Sequence, residues 1–449
     1  MVDQLEALNA DDRDERSEFV VQTLVDAFDP LMHAAPTAFR SKFRTMARDP
    51  FAFYRGSAAL FYADVDRLND PWVDQRSSRV WIQGDLHAEN FGTYLDSDGR
   101  LVFDVNDFDE AYLGHWTWDV ERFVASLALL CWSKALPDSV IDDLVSRYVR
   151  AYVDQVHHYV EVDDDTSWAL TLDTGKGAVL DALHRAKLAS RVHLLDSVTV
   201  VEDYRRRFAE GPGVRRLDQA ECAIVTEAFG RYRDTAPPPR VSPVAFDVLD
   251  VVGRSGFGIG SAGLPAYNVL IEAFSQALDN DVVLTVKQGN IAAPSRVVHD
   301  ERLAGAFEHH GHRTAMSQRA LQAHADRFLG WTSIDTGKGP VGFVVAEYSP
   351  YEADLEWAGV DEPDELQVLV EQLGRATAKV HCVSDSDADA GLVEGSVEEA
   401  IAESVGDDVD GLVTDLTAFA HGYAARARDD HRLFVDAFRA GAFSAVAPT

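Results

Sequence analysis

The chain has 449 residues, enough for two or three domains or one two-lobed enzyme, and 46% of them are hydrophobic, which excludes global disorder. A net charge of −34 and a pI of about 4.6 repel nucleic acid and anionic membrane surfaces, so neither is expected as a partner. Three widely spaced cysteines (Cys131, Cys222, Cys382) give no disulfide framework and no metal knuckle, and neither a signal-peptide core nor a membrane-length apolar run is present, so a cytoplasmic location is expected.

Residues 1–48 read as helical: Phe19, Val20, Leu24, Val25 and Phe28 form one apolar face, and Asp29-Pro30 is expected to end it. Arg40, Arg44 and Arg48 recur at helical spacing, and Arg55 beside Gly56 is open to two readings, a phosphate contact or a surface arginine. Acid is spread along the whole chain and Arg outnumbers Lys. That pattern suits a protein kept soluble at high salt, and equally an ordinary acidic cytosolic one.

The stretch 81–92, Trp-Ile-Gln-Gly-Asp-Leu-His-Ala-Glu-Asn-Phe-Gly, is an apolar lead-in that stops abruptly at Gly84-Asp85. A turn signal at Asp96-Ser97-Asp98-Gly99 follows, and then a second apolar strand that ends in acid at 101–110. The unit reads as loop, strand, turn, strand, acidic tip. Phosphoryl transfer uses an Asp to accept the acceptor hydroxyl's proton, an Asn five residues on for magnesium, and a further Asp beyond the next hairpin for the same metal. Asp85, Asn90 and Asp107 fall in that order, with His87 and Asp109 beside them.

Beyond the hairpin, 120–132 is apolar nearly all round and is expected to be buried, and a second helix follows Pro137. Residues 161–240 are polar and less regular, with helices expected but no assignable chemistry, and close on Pro237-Pro238-Pro239. A strand-like run at 246–252 leads into Gly258, Gly260, Ser261 and Gly263, a G-x-G-x-x-G pattern. A dinucleotide fold needs a helix straight after such glycines, but Pro265 and a strand-like run follow here. A glycine-rich loop between antiparallel strands, with a lysine on the third, is the alternative, and Lys287 ends the apolar strand 282–287.

A helical pattern then runs over about 300–329, with Glu308 the obvious carboxylate to pair with Lys287, and Gln318, Arg319 and Gln322 as other polar candidates. A strand at 341–347 ends in Glu347 and suits a hinge where backbone groups read adenine. Residues 366–381 form an amphipathic helix, and 400–445 add one or two more with aromatic faces.

The wording Gly-Asp-Leu-His-x-x-Asn (84–90), then Asp-Phe-Asp-Glu-Ala (107–111), resembles the aminoglycoside-phosphotransferase branch of the protein-kinase-like superfamily. Trp118-Asp119 resembles that branch's later Asp, which braces the catalytic loop from below. The helix ending at His381 resembles the one such enzymes carry just before that loop. The pattern as a whole is similar to the prokaryotic domain-of-unknown-function family 2252, matching at 51–56, 84–92, 103–111, 118–127, 258–263, 318–331 and 374–381. It departs at 348–357, where Glu352, Asp354 and Glu356 stand in place of more basic character.

The resemblance implies an α+β, two-lobed kinase-like fold. Because the catalytic loop precedes the glycine loop here, the fold is expected to be circularly permuted, which is permissible when termini meet at the surface. Residues 1–240 would form the helical large lobe, 241–357 a small β lobe, and 358–449 helices that complete the large lobe. The function expected is ATP- and Mg2+-dependent phosphotransfer to a hydroxyl of a small molecule. Asp85 and His87 would be catalytic; Asn90, Asp107 and Asp109 would hold metal; Gly258, Gly260, Ser261, Gly263, Lys287, Glu308 and Glu347 would serve the nucleotide. Three rivals stand beside it. One is nucleotidyl (AMP) transfer with the same groups holding ATP flipped, and another a non-catalytic nucleotide-binding protein. The third, a metal-dependent phosphoester hydrolase, lacks its usual Asp-x-His and Asn-His-Asp/Glu elements.

Overall fold

Proline and aspartate set the N-terminal helices. Asp12 caps Arg13–Ala34 by accepting from Asp14 N at 2.9 Å, Pro36 opens Pro36–Met46, and Asp49 caps Pro50–Gly56 by accepting from Ala52 N at 2.8 Å. The computed structural model describes residues 12–162, 164–236, 246–254, 263–273, 275–303, 305–335, 339–385 and 392–446. Pro30 does not end the first helix, which continues to Ala34. Proline leaves the carbonyl four residues back without its helical donor. That carbonyl, on Asp26, takes Arg296 Nη1 at 3.4 Å instead, and Ala27 O takes Arg296 Nη2 at 3.0 Å.

The hairpin expected over 91–105 forms as Phe91–Leu95 against Leu101–Val105, closed by Asp96 N to Arg100 O at 2.9 Å. A second short pair, Val80–Ile82 against Tyr112–Gly114, closes the unit from outside. With both pairs antiparallel, the loops at 83–90 and 106–111 emerge side by side. Trp116–Ser133 is buried on nearly every face, as its composition requires, and packs with Asp138–Glu161, Pro363–Cys382 and Val409–Arg439 in the main core.

Among the described residues there are thirteen α-helices and one six-stranded antiparallel sheet, so the fold is mixed α+β. The sheet runs, edge to edge, Val214–Arg216, Asp247–Arg254, Ala266–Glu272, Asp281–Gln288, Pro340–Glu347, Gly330–Asp335. Its first strand, and the Gln219–Tyr232 helix whose Val225, Phe229 and Tyr232 pack on it, come from the stretch before residue 240 that carries no periodic signal. The helix expected over 300–329 is shorter, His310–Gln322, preceded by single 3₁₀ turns and followed by the sheet's edge strand.

Residues 353–355 leave the sheet and lie along Phe91–Leu95, with Thr93 N to Ala353 O and Leu355 N to Phe91 O both at 3.0 Å. The Pro363–Cys382 helix then reaches back under the hairpin, and Lys379 Nζ donates to Asp104 Oδ2 at 2.6 Å. No helix among the described residues is long and apolar enough to cross a membrane.

Candidate functional site

The loop that starts at Gln83 is held from below by one carboxylate. Asp119, 0% exposed near the start of the Trp116–Ser133 helix, accepts from Gln83 N at 2.6 Å and Gly84 N at 2.9 Å. His381 Nε2 lies 3.3 Å from the same side chain, and Tyr152 Oη is 2.8 Å from His381 Nδ1. Gly84 adopts φ +83°, and a Cβ there would sit 2.1 Å from Glu110 O, so only glycine lets the two acidic loops approach this closely. Gln83 ties them together: its Nε2 donates to Asn106 O at 3.1 Å and Asp107 O at 2.6 Å, while its Oε1 accepts from Asp85 N at 2.8 Å.

Asp85 and Asn90 are linked within the loop by Asn90 Nδ2 to Asp85 O at 2.9 Å. With its amide nitrogen so committed, Asn90 keeps its side-chain oxygen as an acceptor. Asp85 Oδ1 accepts from Arg122 Nε at 2.6 Å, and Arg122 also donates to Tyr54 O at 3.0 Å. Burial pushes the Asp85 carboxyl up to about 7; Glu110 and Asp107 add to the rise and Arg122 opposes it. His87 Nε2 accepts from Arg55 Nε at 3.3 Å, and Arg55 also pairs with Glu89. Burial first, then Arg55 and Arg122, holds His87 well below the usual imidazole value, so it is neutral.

Asp107 is a non-glycine residue at φ 57°, ψ 76°, the left-handed region, a strain that costs about 1 kcal/mol or more. The residue is exposed, yet lost hydration against the surrounding loops and the nearby Asp109 raise its carboxyl, and Lys287 opposes. Glu110 is raised by burial as well, and accepts from Asn290 Nδ2 at 3.2 Å and Ala293 N at 2.5 Å. Lys287, opposite Ala266 and Val344 in the sheet, pairs with Asp109 across 178 residues of chain. Burial alone would lower its ammonium, but Asp109, Asp107 and Glu110 carry it up to about 12.

Asp85, Asp107, Asp109 and Glu110 line an open cleft together with Lys42, Arg55 and Arg296, and Lys287 reaches its edge through Asp109. Among the described residues no group of three or more His, Cys, Asp or Glu is arranged to hold a metal ion. Magnesium asks for less: one or two carboxylates, with substrate phosphates and waters filling the octahedron. Asp107 and the free oxygen of Asn90 suit that hard-oxygen preference, and a cation beside Asp107 would offset the repulsion from Asp109.

Asp85, His87, Asn90, Asp107, Asp109 and Lys287 are therefore brought together. Gly258, Gly260 and Ser261 lie outside the described residues. Gly263 is described, at φ +81°, against Ala35 and Phe39. Glu308 is not the partner of Lys287. It lies exposed ahead of the His310–Gln322 helix, and its N–H donates to His312 Nδ1 at 3.0 Å. That helix instead offers Arg313, fully buried, which donates to Asp109 O at 2.6 Å and Asn290 O at 3.0 Å and so clamps the acidic tip by its backbone. Glu347 hydrogen-bonds to none of the six; it accepts from Arg191 Nε at 2.8 Å, and burial and Asp326 raise its carboxyl.

Sequence reasoning misses Arg122, Glu110, Arg313 and Lys42. Arg122 had a signal, since a charge inside an otherwise apolar buried helix needs a partner. Arg313 and Lys42 had none, because a lone cation on a short amphipathic helix reads as solvated surface.

Residues 34–437 match the family described as "Uncharacterized protein conserved in bacteria (DUF2252)". No curated protein and no solved structure matches the chain. The match spans most of the sequence, and the chain belongs to that family.

Proposed function

We propose that the protein is an ATP- and Mg2+-dependent phosphotransferase, kinase-like in its parts, that acts on a hydroxyl group of a small molecule. One observation carries the reading: a strand lysine, Lys287, pairs with Asp109 of a hairpin unit 178 residues earlier, at the edge of a cleft that Asp109 and Asp85 both line. No local pattern requires that meeting, and phosphoryl transfer does. The antiparallel pair Asp247–Arg254 and Ala266–Glu272, which flanks the glycine-rich stretch, and the lysine on the next strand support it further.

In the step proposed, Asp85 accepts the acceptor's hydroxyl proton through Oδ2, since Arg122 holds Oδ1. The acceptor oxygen bonds to the γ-phosphorus, and the bond to the β–γ bridging oxygen breaks with its electron pair left on ADP. Lys287 binds the α/β-phosphates, and Asn90 and Asp107 would hold magnesium, which supplies neutralisation of the phosphate charge. Asp119 positions the loop by its two backbone N–H groups. Helix Pro363–Cys382 reaches the hairpin through Lys379 and Asp119 through His381, contacts that support reading the chain as a circularly permuted kinase-like one.

Nucleotidyl transfer draws on one feature, the arginine already seated on Asp85, which weakens that carboxylate as a base. Calorimetric titration with ATP, with and without magnesium, tests the shared premise. Magnesium-dependent binding that weakens in Lys287→Ala is expected, and folded protein that binds no nucleotide would sink it. With a panel of hydroxylated small molecules, release of ADP favours phosphoryl transfer, and release of pyrophosphate favours the rival.

A further inference from the structure

The three basic side chains that line the cleft are used differently. Arg55 is committed to His87 and Glu89, and Arg296 to the carbonyls of Asp26 and Ala27. Lys42 is 5% exposed, yet among the described residues no hydrogen bond or ion pair reaches its ammonium. It rests over two rings, 4.0 Å from the centroid of Phe28 and 5.6 Å from that of Phe39. Rings supply part of a cation's lost hydration and leave its three N–H donors unspent. An ammonium with spare donors, on a side chain this buried and at the wall of an acidic cleft, is suited to an anionic ligand.

Its position is specific. Lys42 is three residues after Phe39 on the Pro36–Met46 helix, so the two share a face. Gly263, the last glycine of the G-x-G-x-x-G pattern, packs on that same helix entrance, where a Cβ would come within 2.6 Å of Ala35 Cβ and 3.6 Å of the Phe39 ring. The helix thus forms a third wall between the end of the glycine-rich stretch and the loop that carries Asp85.

We propose that Lys42 binds the terminal phosphoryl group of the nucleotide while that group passes to the acceptor. The assignment rests on the phosphotransferase reading above. In that reading the moving phosphoryl lies between the Lys287 end of the nucleotide and Asp85, and its charge is spread over three equatorial oxygens. Lys42 donates to those oxygens and keeps its own proton throughout; the acceptor's proton goes to Asp85, and the electron pair of the broken bond leaves on ADP. A charged donor in a water-poor cleft acts most strongly where charge develops. The polar side chains that follow Asp85 in the loop are already engaged, because Arg55 donates to both His87 and Glu89.

Calorimetry of the full chain with Mg·ADP and Mg·ATP separates the two layers. Lys42→Met keeps the apolar stem over Phe28 and Phe39 and removes only the charge, and Lys42→Gln is the second neutral variant should the first fail to fold. Wild-type protein is expected to prefer Mg·ATP. The neutral variant is expected to bind Mg·ADP as wild type does and Mg·ATP about 10- to 100-fold more weakly, with partial recovery in Lys42→Arg. A neutral variant that retains the wild-type ratio of ATP to ADP affinity overturns the Lys42 assignment and leaves the phosphotransferase reading standing, because wild-type binding of Mg·ADP supports that reading independently. Wild-type protein that binds neither nucleotide overturns both.

Discussion

Two sets of acids, the lower one buried and the upper one half-buried or exposed, lie one layer apart and meet different fates. Below the loops, Asp119 takes two backbone N–H groups and His381, and Asp104 takes Lys379. In the cleft, Asp107 crowds Asp109, and Asp85 Oδ2 makes no hydrogen bond among the described residues, with His87 Nε2 4.0 Å away. The lower set has the protein as its partner and fixes geometry. The upper set is desolvated without being fully paired, which raises its protonation and leaves room for a cation and a phosphate. Desolvation alone therefore marks nothing; incomplete pairing beside a cleft does.

The sharpest way to break this contrast is to neutralise an acid of the upper set and to remove the partner of an acid in the lower one. Asp85→Asn should lower phosphotransfer by about 10²–10⁴ while Mg·ATP affinity stays within a few-fold, as read from steady-state kinetics and calorimetry. An unchanged rate removes Asp85 from the mechanism. Lys379→Ala should do the reverse in kind. It strands Asp104 in the core and should cost about 3–5 kcal/mol in urea unfolding. The pair replacement Lys379→Met with Asp104→Leu should recover most of that loss, and no recovery would mean that the pair does more than satisfy its own charges.

Asp119→Ala leaves two loop N–H groups without an acceptor and should cost about 2–4 kcal/mol, with hydrogen exchange rising first at Gln83 and Gly84. Exchange unchanged at those two amides would show that the loop is held by other contacts.

A smaller effect concerns pH. Asp85 must be ionised to act as a base, so kcat/KM should rise with pH through an acid limb near 7, where burial places its carboxyl. Arg122 lowers that value, so Arg122→Gln should move the limb to higher pH. The same group acts on stability with the opposite sense. Its folded value lies above the unfolded one, so the folded state binds more protons between about 4 and 7. Stability from this group is complete below about 4 and falls as pH rises through 7. A limb that stays in place in Arg122→Gln would assign it to another group.

The local devices were legible in the sequence. The abrupt stop at Gly84, the turn at 96–99, the strand ending in Lys287 and the helix ending at His381 are all encoded by neighbours in the chain, where period, turn chemistry and strand length act over a few residues. The end of the first helix was misread because Pro30's lost hydrogen bond is replaced by a residue 270 positions away.

What pairs with what lay beyond the sequence for the same reason. Lys287 chose Asp109 over Glu308 because the sheet sets the lysine beside the acidic tip, while the 310–322 helix starts too late to carry Glu308 inward. Arg122 on Asp85, Arg313 on the backbone of Asp109, and Lys42 beneath Gly263's neighbours are likewise products of packing. The sequence by itself determined which short segments are strands, turns and helices and which of them end in acid, because those choices are made by adjacent residues. Only the tertiary structure decided which charges meet, because in a chain this acidic each cation has many acids to choose from, and burial selects among them.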